Sequence, residues 1–209
     1  MAYRDSHGRT LEDYPRPSVA VDTAVLTLSD DALAVLLVPG DTGGWCLPGT
    51  FLHQGEALAD AVRRSLAAKA GVRGLEPQQL HVFDAPDRDD RGWVLSVAHL
   101  DTIPAVRVPA GVRVVPVADL PPLPYDHAAI VDRAVATLRA DYREHPDPAG
   151  LLAAQEFTVR DLRRLHEAVL GERLVPDTFR RTMLPGLAPT GEVRRGGRGK
   201  PAELYRRLG

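Results

Sequence analysis

Cysteine is nearly missing from this chain of 209 residues. The single one, Cys46, excludes an intrachain disulfide and any cysteine cluster able to hold zinc, and it reads as a small, partly buried residue. Long apolar runs are missing too. No stretch approaches the ~18 residues that cross a bilayer, and the first twenty residues lack a continuous apolar segment of secretory type. A soluble, intracellular protein of the cytoplasm, with no membrane partner, is expected. Seven histidines are present, but none falls in an H-E-x-x-H or other ligand spacing, so no metal site is expected. The segment "RGGRGKP" fails as a phosphate-binding loop, because Arg194 stands where its first glycine belongs and Pro201 where Ser or Thr is required. Lysine is scarce beside arginine.

What is present is a core. A hydrophobic content of 44% over 209 residues supports one large domain or a medium and a small one, and two are expected. The net charge of -2 conceals a division. From Glu156 onward there are twelve basic and seven acidic residues, against fourteen and twenty-one before it. An acidic body with a basic tail suggests that the tail meets a polyanion while the body does something else.

Residues 18–29, "SVAVDTAVLTLS", alternate apolar and polar positions, and "DDALAVLLVPG" follows an acidic turn, which predicts a β-hairpin. After the loop "GWCLPGTFL", the stretch "GEALADAVRRSLAAKAGV" places Leu58, Val62, Leu66 and Ala70 at intervals of four, as on one face of a helix that Gly71 closes. Strands are expected at "LHVFDAP", "GWVLSVAHLDTI" and "VRVVPV", then a long helix "DHAAIVDRAVATLRADYREH" whose N-cap would be Asp126. "HPDPAG" breaks the pattern and is the best linker. Two short helices come next. "TVRDLRRLHEAVLG" opens on Thr158 with Asp161 three residues on, close to a capping box, and "VPDTFRRTML" has Asp177 as expected N-cap. A Gly-rich basic hairpin, "TGEVRRGGRGKPAELYRRL", completes the order of a winged helix-turn-helix.

The frame from Trp45 to Val72 resembles the Nudix box and its lead-in. "LPGT" supplies the turn, Glu56 the first glutamate, Arg64 the arginine and Gly71 with Val72 the close. The three helical glutamates of that pattern fall on Ser65, Ala68 and Lys69, and the second glycine of the turn falls on Thr50. In the family those carboxylates gather the divalent cations that neutralise a diphosphate and activate water. Ser, Ala and a cationic Lys cannot supply that charge. Catalytic residues, a bound metal and a cofactor are therefore not expected.

Over nearly its whole length the chain resembles the NrtR family of regulators, on "WCLPGTFL", "DAPDRDDRGWVLSVAHL", "YDHAAIVDRAVATLR", "EFTVRDLRRLHEAVLG", "DTFRRTML" and "GRGKPAELYR". Lys200 between Gly199 and Pro201 departs from that family's simpler Gly-Arg-Pro. The resemblance implies an α/β protein: a Nudix-like mixed-sheet α/β/α sandwich over residues 15–147 that binds an effector, and a winged helix-turn-helix over 148–209. It implies a homodimeric repressor of NAD metabolism genes that grips a palindromic double-stranded DNA operator and senses ADP-ribose or a related NAD metabolite.

A diphosphate between sugars and a base needs cations, donors and an aromatic platform. Arg88 and Arg91 are candidates for the phosphates, and Trp45 either stacks on the base or merely packs. Arg64 either joins them or pairs with Glu56 and fixes the loop. Asp126 and His127 match a family "DH" element read as a helix cap. For DNA, the candidates are Thr158, then Thr178, Arg180 and Arg181 at the recognition helix, with the two arginines about 100° apart, and Arg194, Arg195, Arg198 and Lys200 in the wing. The rival reading is a pyrophosphohydrolase holding magnesium with Glu56 and carboxylates such as Asp84, Asp87 or Asp89. A third is a nucleotide-binding module whose tail contacts RNA or protein.

Overall fold

The computed structural model describes residues 3–41, 43–195 and 201–208. The expected hairpin is β1 (Ser18–Ser29) and β2 (Ala32–Pro39), paired antiparallel through Leu26–Val35 and Ser29–Ala32. The next elements are β3 (Trp45–Cys46), β4 (Gly49–Phe51), α1 (Leu58–Ser65), β5 (Gln78–Phe83), β6 (Val94–Thr102), β7 (Arg113–Pro116) and α2 (His127–Glu144). The sheet runs β3-β2-β1-β6-β5, with β4 paired to β1 and β7 to β2. Because β1 and β6 are parallel while the other pairings are antiparallel, the sheet is mixed.

The hairpin differs from its reading in one respect. Its polar alternates do not face water. Asp22, Thr23 and Thr27 are all buried, because helices cover both faces of the sheet. Val21, Val25, Leu36 and Val38 point to the α1 side with Val62, Leu66 and Ala70, whereas Ala24, Leu26, Val35 and Leu37 pack with Ile130, Ala134 and Leu138 of α2. The box helix also ends differently from a plain α-helix. Leu66–Ala70 widen into a π-helical turn, and Gly71, at φ 66°, closes it in the left-handed region that glycine adopts without strain.

Beyond α2 lie α3 (Val159–Leu170), α4 (Pro176–Met183), β8 (Leu187–Arg194) and β9 (Ala202–Arg207). The cap of α3 forms as read: Thr158 Oγ1 accepts from the Asp161 backbone N–H at 3.1 Å, and Asp161 Oδ2 accepts from the Thr158 N–H at 3.0 Å. The cap of α4 is corrected. Val175 is the N-cap and Pro176 takes the first helical position, where its missing N–H costs nothing, so Asp177 falls within the first turn. The two wing strands pair antiparallel, and Phe157 bridges to Tyr205 of β9.

"HPDPAG" is not an exposed tether. The Asp147 carboxylate is fully buried and accepts from the Tyr142 hydroxyl of α2 at 2.5 Å, from the Leu151 and Leu152 backbones at 2.8 and 3.1 Å, and from the Arg207 guanidinium of β9. Apolar packing crosses the same place. One continuous cluster joins β2 and α2 to Phe157, Leu162, Leu165, Phe179 and Tyr205.

Within that cluster sits His166, edge-on to the rings of Tyr142 and Phe179 at 5.0 and 4.9 Å, with neither ring nitrogen hydrogen-bonded. Burial pushes its imidazole down to about 4, with the nearby Asp147 charge opposing. The unfolded chain takes up this proton near pH ~6.5. Below that pH the unfolded state therefore binds more protons, and native stability falls as the pH drops toward 4. The contribution reaches about 3 kcal/mol. Urea denaturation between pH 7 and 4 should show a flatter pH dependence for His166→Phe than for the parent; identical slopes would assign the acid sensitivity elsewhere.

Candidate functional site

A cavity of about 450 Å³ opens where β1, β4, the turn at 88–91 and the entry to α2 meet. Its floor is the buried carboxylate of Asp22. Ser96 Oγ donates to Asp22 Oδ2 at 2.6 Å, and His127 Nε2 lies 3.4 Å from Oδ1. The Leu47 backbone N–H donates to His127 Nδ1 at 3.1 Å, so Nδ1 carries no proton and the hydrogen sits on Nε2, facing Asp22. Burial would raise the Asp22 carboxyl, but the His127 ring, the Ser96 hydroxyl and the Arg88 charge together hold it below its ordinary value. Asp22 also dictates its neighbour. A Cβ on Gly49 would stand 1.9 Å from Asp22 Oδ1, so glycine is required at 49 by close approach.

Above this floor stand the cations. Arg88, whose side chain is 3% exposed, grips Asp126 through Nε at 2.8 Å and Nη2 at 2.5 Å, with Asp22 at 3.8 Å. Arg91 grips Asp89 through Nε at 2.9 Å and Nη2 at 2.7 Å, and Arg91 first, with burial opposing, depresses the Asp89 carboxyl. Each guanidinium has five N–H donors, and two point at its carboxylate. Lys69 lines the same cavity. Such an arrangement suits an anion with apolar ends.

A family model described as the NrtR DNA-binding winged helix domain matches residues 150–207, and one described as the NUDIX domain matches residues 18–138. The crystal structure of Shewanella oneidensis NrtR complexed with a 27mer DNA is 30% identical, over 91% of this chain and 93% of that one, with a TM-score of 0.75. The chain belongs to the NrtR family. The Acinetobacter baylyi "ADPR responsive transcriptional repressor NtrR" is 28% identical over 93% of this chain and 83% of its own. The NUDIX domain of Shewanella oneidensis NrtR complexed with ADP ribose is 28% identical over 63% of this chain and 95% of that one, at a TM-score of 0.55.

In this NrtR-family chain the cavity brings together Arg88 and Arg91 but not the other three residues expected there. Trp45 does not line it. The Arg113 guanidinium lies 5.1 Å over the Trp45 ring, because β3 and β7 lie in succession along the same strand, β2. Glu56 and Arg64 also lie outside, locked together through Arg64 Nε–Oε1 and Nη2–Oε2, both 2.8 Å. Arg64 further donates to Thr50 Oγ1 at 3.1 Å and to the Phe51 carbonyl at 3.0 Å, so it braces β4. Arg64, with help from the His53 N–H, holds the Glu56 carboxyl down at about 2. Asp126 stands at the N-cap position of α2 as read, but its side chain makes no capping bond and takes Arg88 instead.

The rival magnesium set does not assemble. Asp84 and Asp87 are exposed, Asp89 is occupied by Arg91, and among the described residues no three His, Cys, Asp or Glu side chains converge for a metal. What sequence reasoning missed is Asp22, His127 as its partner, Lys69 as a lining cation, and the two aromatics Phe51 and Tyr125. The signal for Asp22 was available: one acid inside an apolar strand, "AVDTAV".

On the C-terminal side Thr178, Arg180, Arg181, Arg194 and Arg195 are exposed. Arg180 approaches Glu203 at 3.6 Å and the Tyr205 hydroxyl at 3.5 Å, and Arg194 pairs with Asp161 at 2.7 Å. Thr158 is buried, its hydroxyl held in the α3 cap. Arg198 and Lys200 lie outside the described residues.

If close approach to Asp22 is what requires Gly49, Gly49→Ala costs about 1–3 kcal/mol from overpacking. Asp22→Ala in the same chain should recover part of that cost in a double-mutant cycle read by urea denaturation. Additivity within about 0.5 kcal/mol would show that the two residues do not compete for space.

Proposed function

We propose that this chain is an ADP-ribose-responsive transcriptional repressor of NAD metabolism genes, a cytoplasmic homodimer that binds a palindromic operator through its winged helices. The observation that carries the reading is the cavity with Arg88, Arg91 and Lys69 around it, in a fold shared with an NrtR whose Nudix domain was solved with ADP ribose. A diphosphate is a bidentate acceptor for guanidinium forks. The ammonium of Lys69 supplies positive charge where the box pattern has a metal-gathering glutamate. Ser65 points into the core and Ala68 has no donor atom. We take the protein to bind its ligand without cleaving it, and to divide functionally at 147/148.

The DNA side of the proposal rests on exposed α4 and wing cations. Dimerisation follows from a two-fold reader meeting two half-sites. Response requires that ADP-ribose bind one domain arrangement more tightly than the other, and equal affinity would shift nothing.

In a mobility-shift titration on the chain's own upstream DNA, saturating ADP-ribose should change operator affinity by about five-fold or more; no change with ADP-ribose or NAD rejects the sensor. On the same DNA, Arg195→Ala should weaken binding to all duplexes by a similar factor and lower the salt slope by about one unit. An unchanged slope would count against the wing contact.

A second measurement addresses the chemistry. ADP-ribose affinity should stay within about two-fold when EDTA replaces Mg²⁺, since the protein's own cations carry the counter-charge. Turnover near ~1 per second with Mg²⁺ or Mn²⁺ would instead establish the hydrolase.

A further inference from the structure

At the mouth of the cavity two aromatic side chains are left in water: Phe51 at 39% and Tyr125 at 41% exposure. Both are held in place. Phe51 ends β4, whose carbonyl there is bonded by Arg64, and Tyr125 stands immediately before Asp126 and His127, which anchor the site's floor. Tyr125 is also strained. At φ 54° it occupies the left-handed region, where a bulky residue persists only if its surroundings impose it, and such strain clusters at binding sites.

Between these facts stands Arg91. Its guanidinium carbon lies 4.7 Å from the Tyr125 ring centre and 5.3 Å from that of Phe51. A guanidinium is a flat, delocalised cation that stacks on aromatic faces much as a planar heterocycle does.

We infer that the Phe51 and Tyr125 rings form the seat for the ligand's planar base, and that Arg91 fills this seat until the base arrives. The inference rests on the functional reading above and deepens it, since the class of ligand it selects is a nucleotide diphosphate bearing a purine-sized aromatic ring. On entry of the base, the Arg91 side chain leaves the two rings and turns to the diphosphate. The exchange takes both guanidinium bonds from Asp89 and leaves it the Arg91 backbone N–H on Oδ1 at 3.0 Å. The guanidinium thereby trades the Asp89 carboxylate and the two ring faces for the phosphates, which offer it the same bidentate pairing. Trp45, covered by Arg113, has no part in the seat.

The test is isothermal titration of ADP-ribose into the full-length chain and into Tyr125→Phe, Tyr125→Leu and Phe51→Leu. Base stacking on an aromatic face predicts that Tyr125→Phe keeps the affinity within about two-fold and that each leucine variant loses about ten-fold or more, although leucine conserves apolar bulk. If leucine serves as well as phenylalanine at 125, and Phe51→Leu binds like the parent, the seat is wrong while the sensor stands. A parent chain that does not bind ADP-ribose at all overturns the sensor and the seat together. Should Tyr125→Leu fail to fold, Phe51→Leu decides alone.

Discussion

A carboxylate buried under a cavity must be paired, and the pairing of Asp22 organises everything around it. An isolated charge at that depth would take up a proton or refuse to be buried. Ser96, His127 and Arg88 prevent this, and each brings its own element with it. Ser96 fixes the register of the parallel strand β6, opposite Ala20. His127 fixes the first turn of α2 and, through the Leu47 N–H, the loop before β4. Arg88 fixes the 88–91 turn against Asp126. The cations over the cavity are thus held by acids below and beside them. A site built this way is close to neutral when empty, and Arg88 is already held over the floor before an anion arrives.

A second buried carboxylate does comparable work at the far end of α2. Tyr142 on that helix and Arg207 on β9 meet on Asp147. One rod of eighteen residues therefore has its first residue, His127, under the cavity and Tyr142 at the junction with the winged helix. Asp147 itself adopts φ 53°, a backbone cost that its four partners offset. A ligand that pulls Arg88 from Asp126 acts on the start of this rod, and the rod's other end is where the C-terminal strand is held. Both ends are tied by buried hydrogen bonds, so a displacement at one can reach the other without passing through a loop.

Much of the fold was legible because its signals are local. The hairpin, the box helix with its Gly71 stop, α2 and the α3 cap all follow from spacing or from residues a few positions apart. The rest depends on partners far along the chain. Thr23 and Thr27 share the α1 face with Val21 and Val25, and Asp22 shares the other with Ala24 and Leu26; burying all three needs both faces covered, and nothing inside "SVAVDTAVLTLS" reports that. The Asp147 knot joins residues sixty positions apart. At the site the same division holds. Arg88 and Arg91 line the cavity, where a charged turn next to a strand had pointed, whereas Trp45 lies away from it under Arg113, which reaches it only through the edge of β2. Glu56 and Arg64 were read as either ligand contacts or a brace, and their mutual grip selects the brace. Tyr125 gave no signal at all, since its exposure and its dihedral exist only in three dimensions.

The apolar cluster that runs from β2 through α2 into α3, Phe157 and Tyr205 makes this winged helix a poor candidate for modular exchange. Cut away from the sheet, it would present a greasy flank to water and lose the acid that clamps its last strand. Recombination could move such a unit to another protein only with a replacement for that flank.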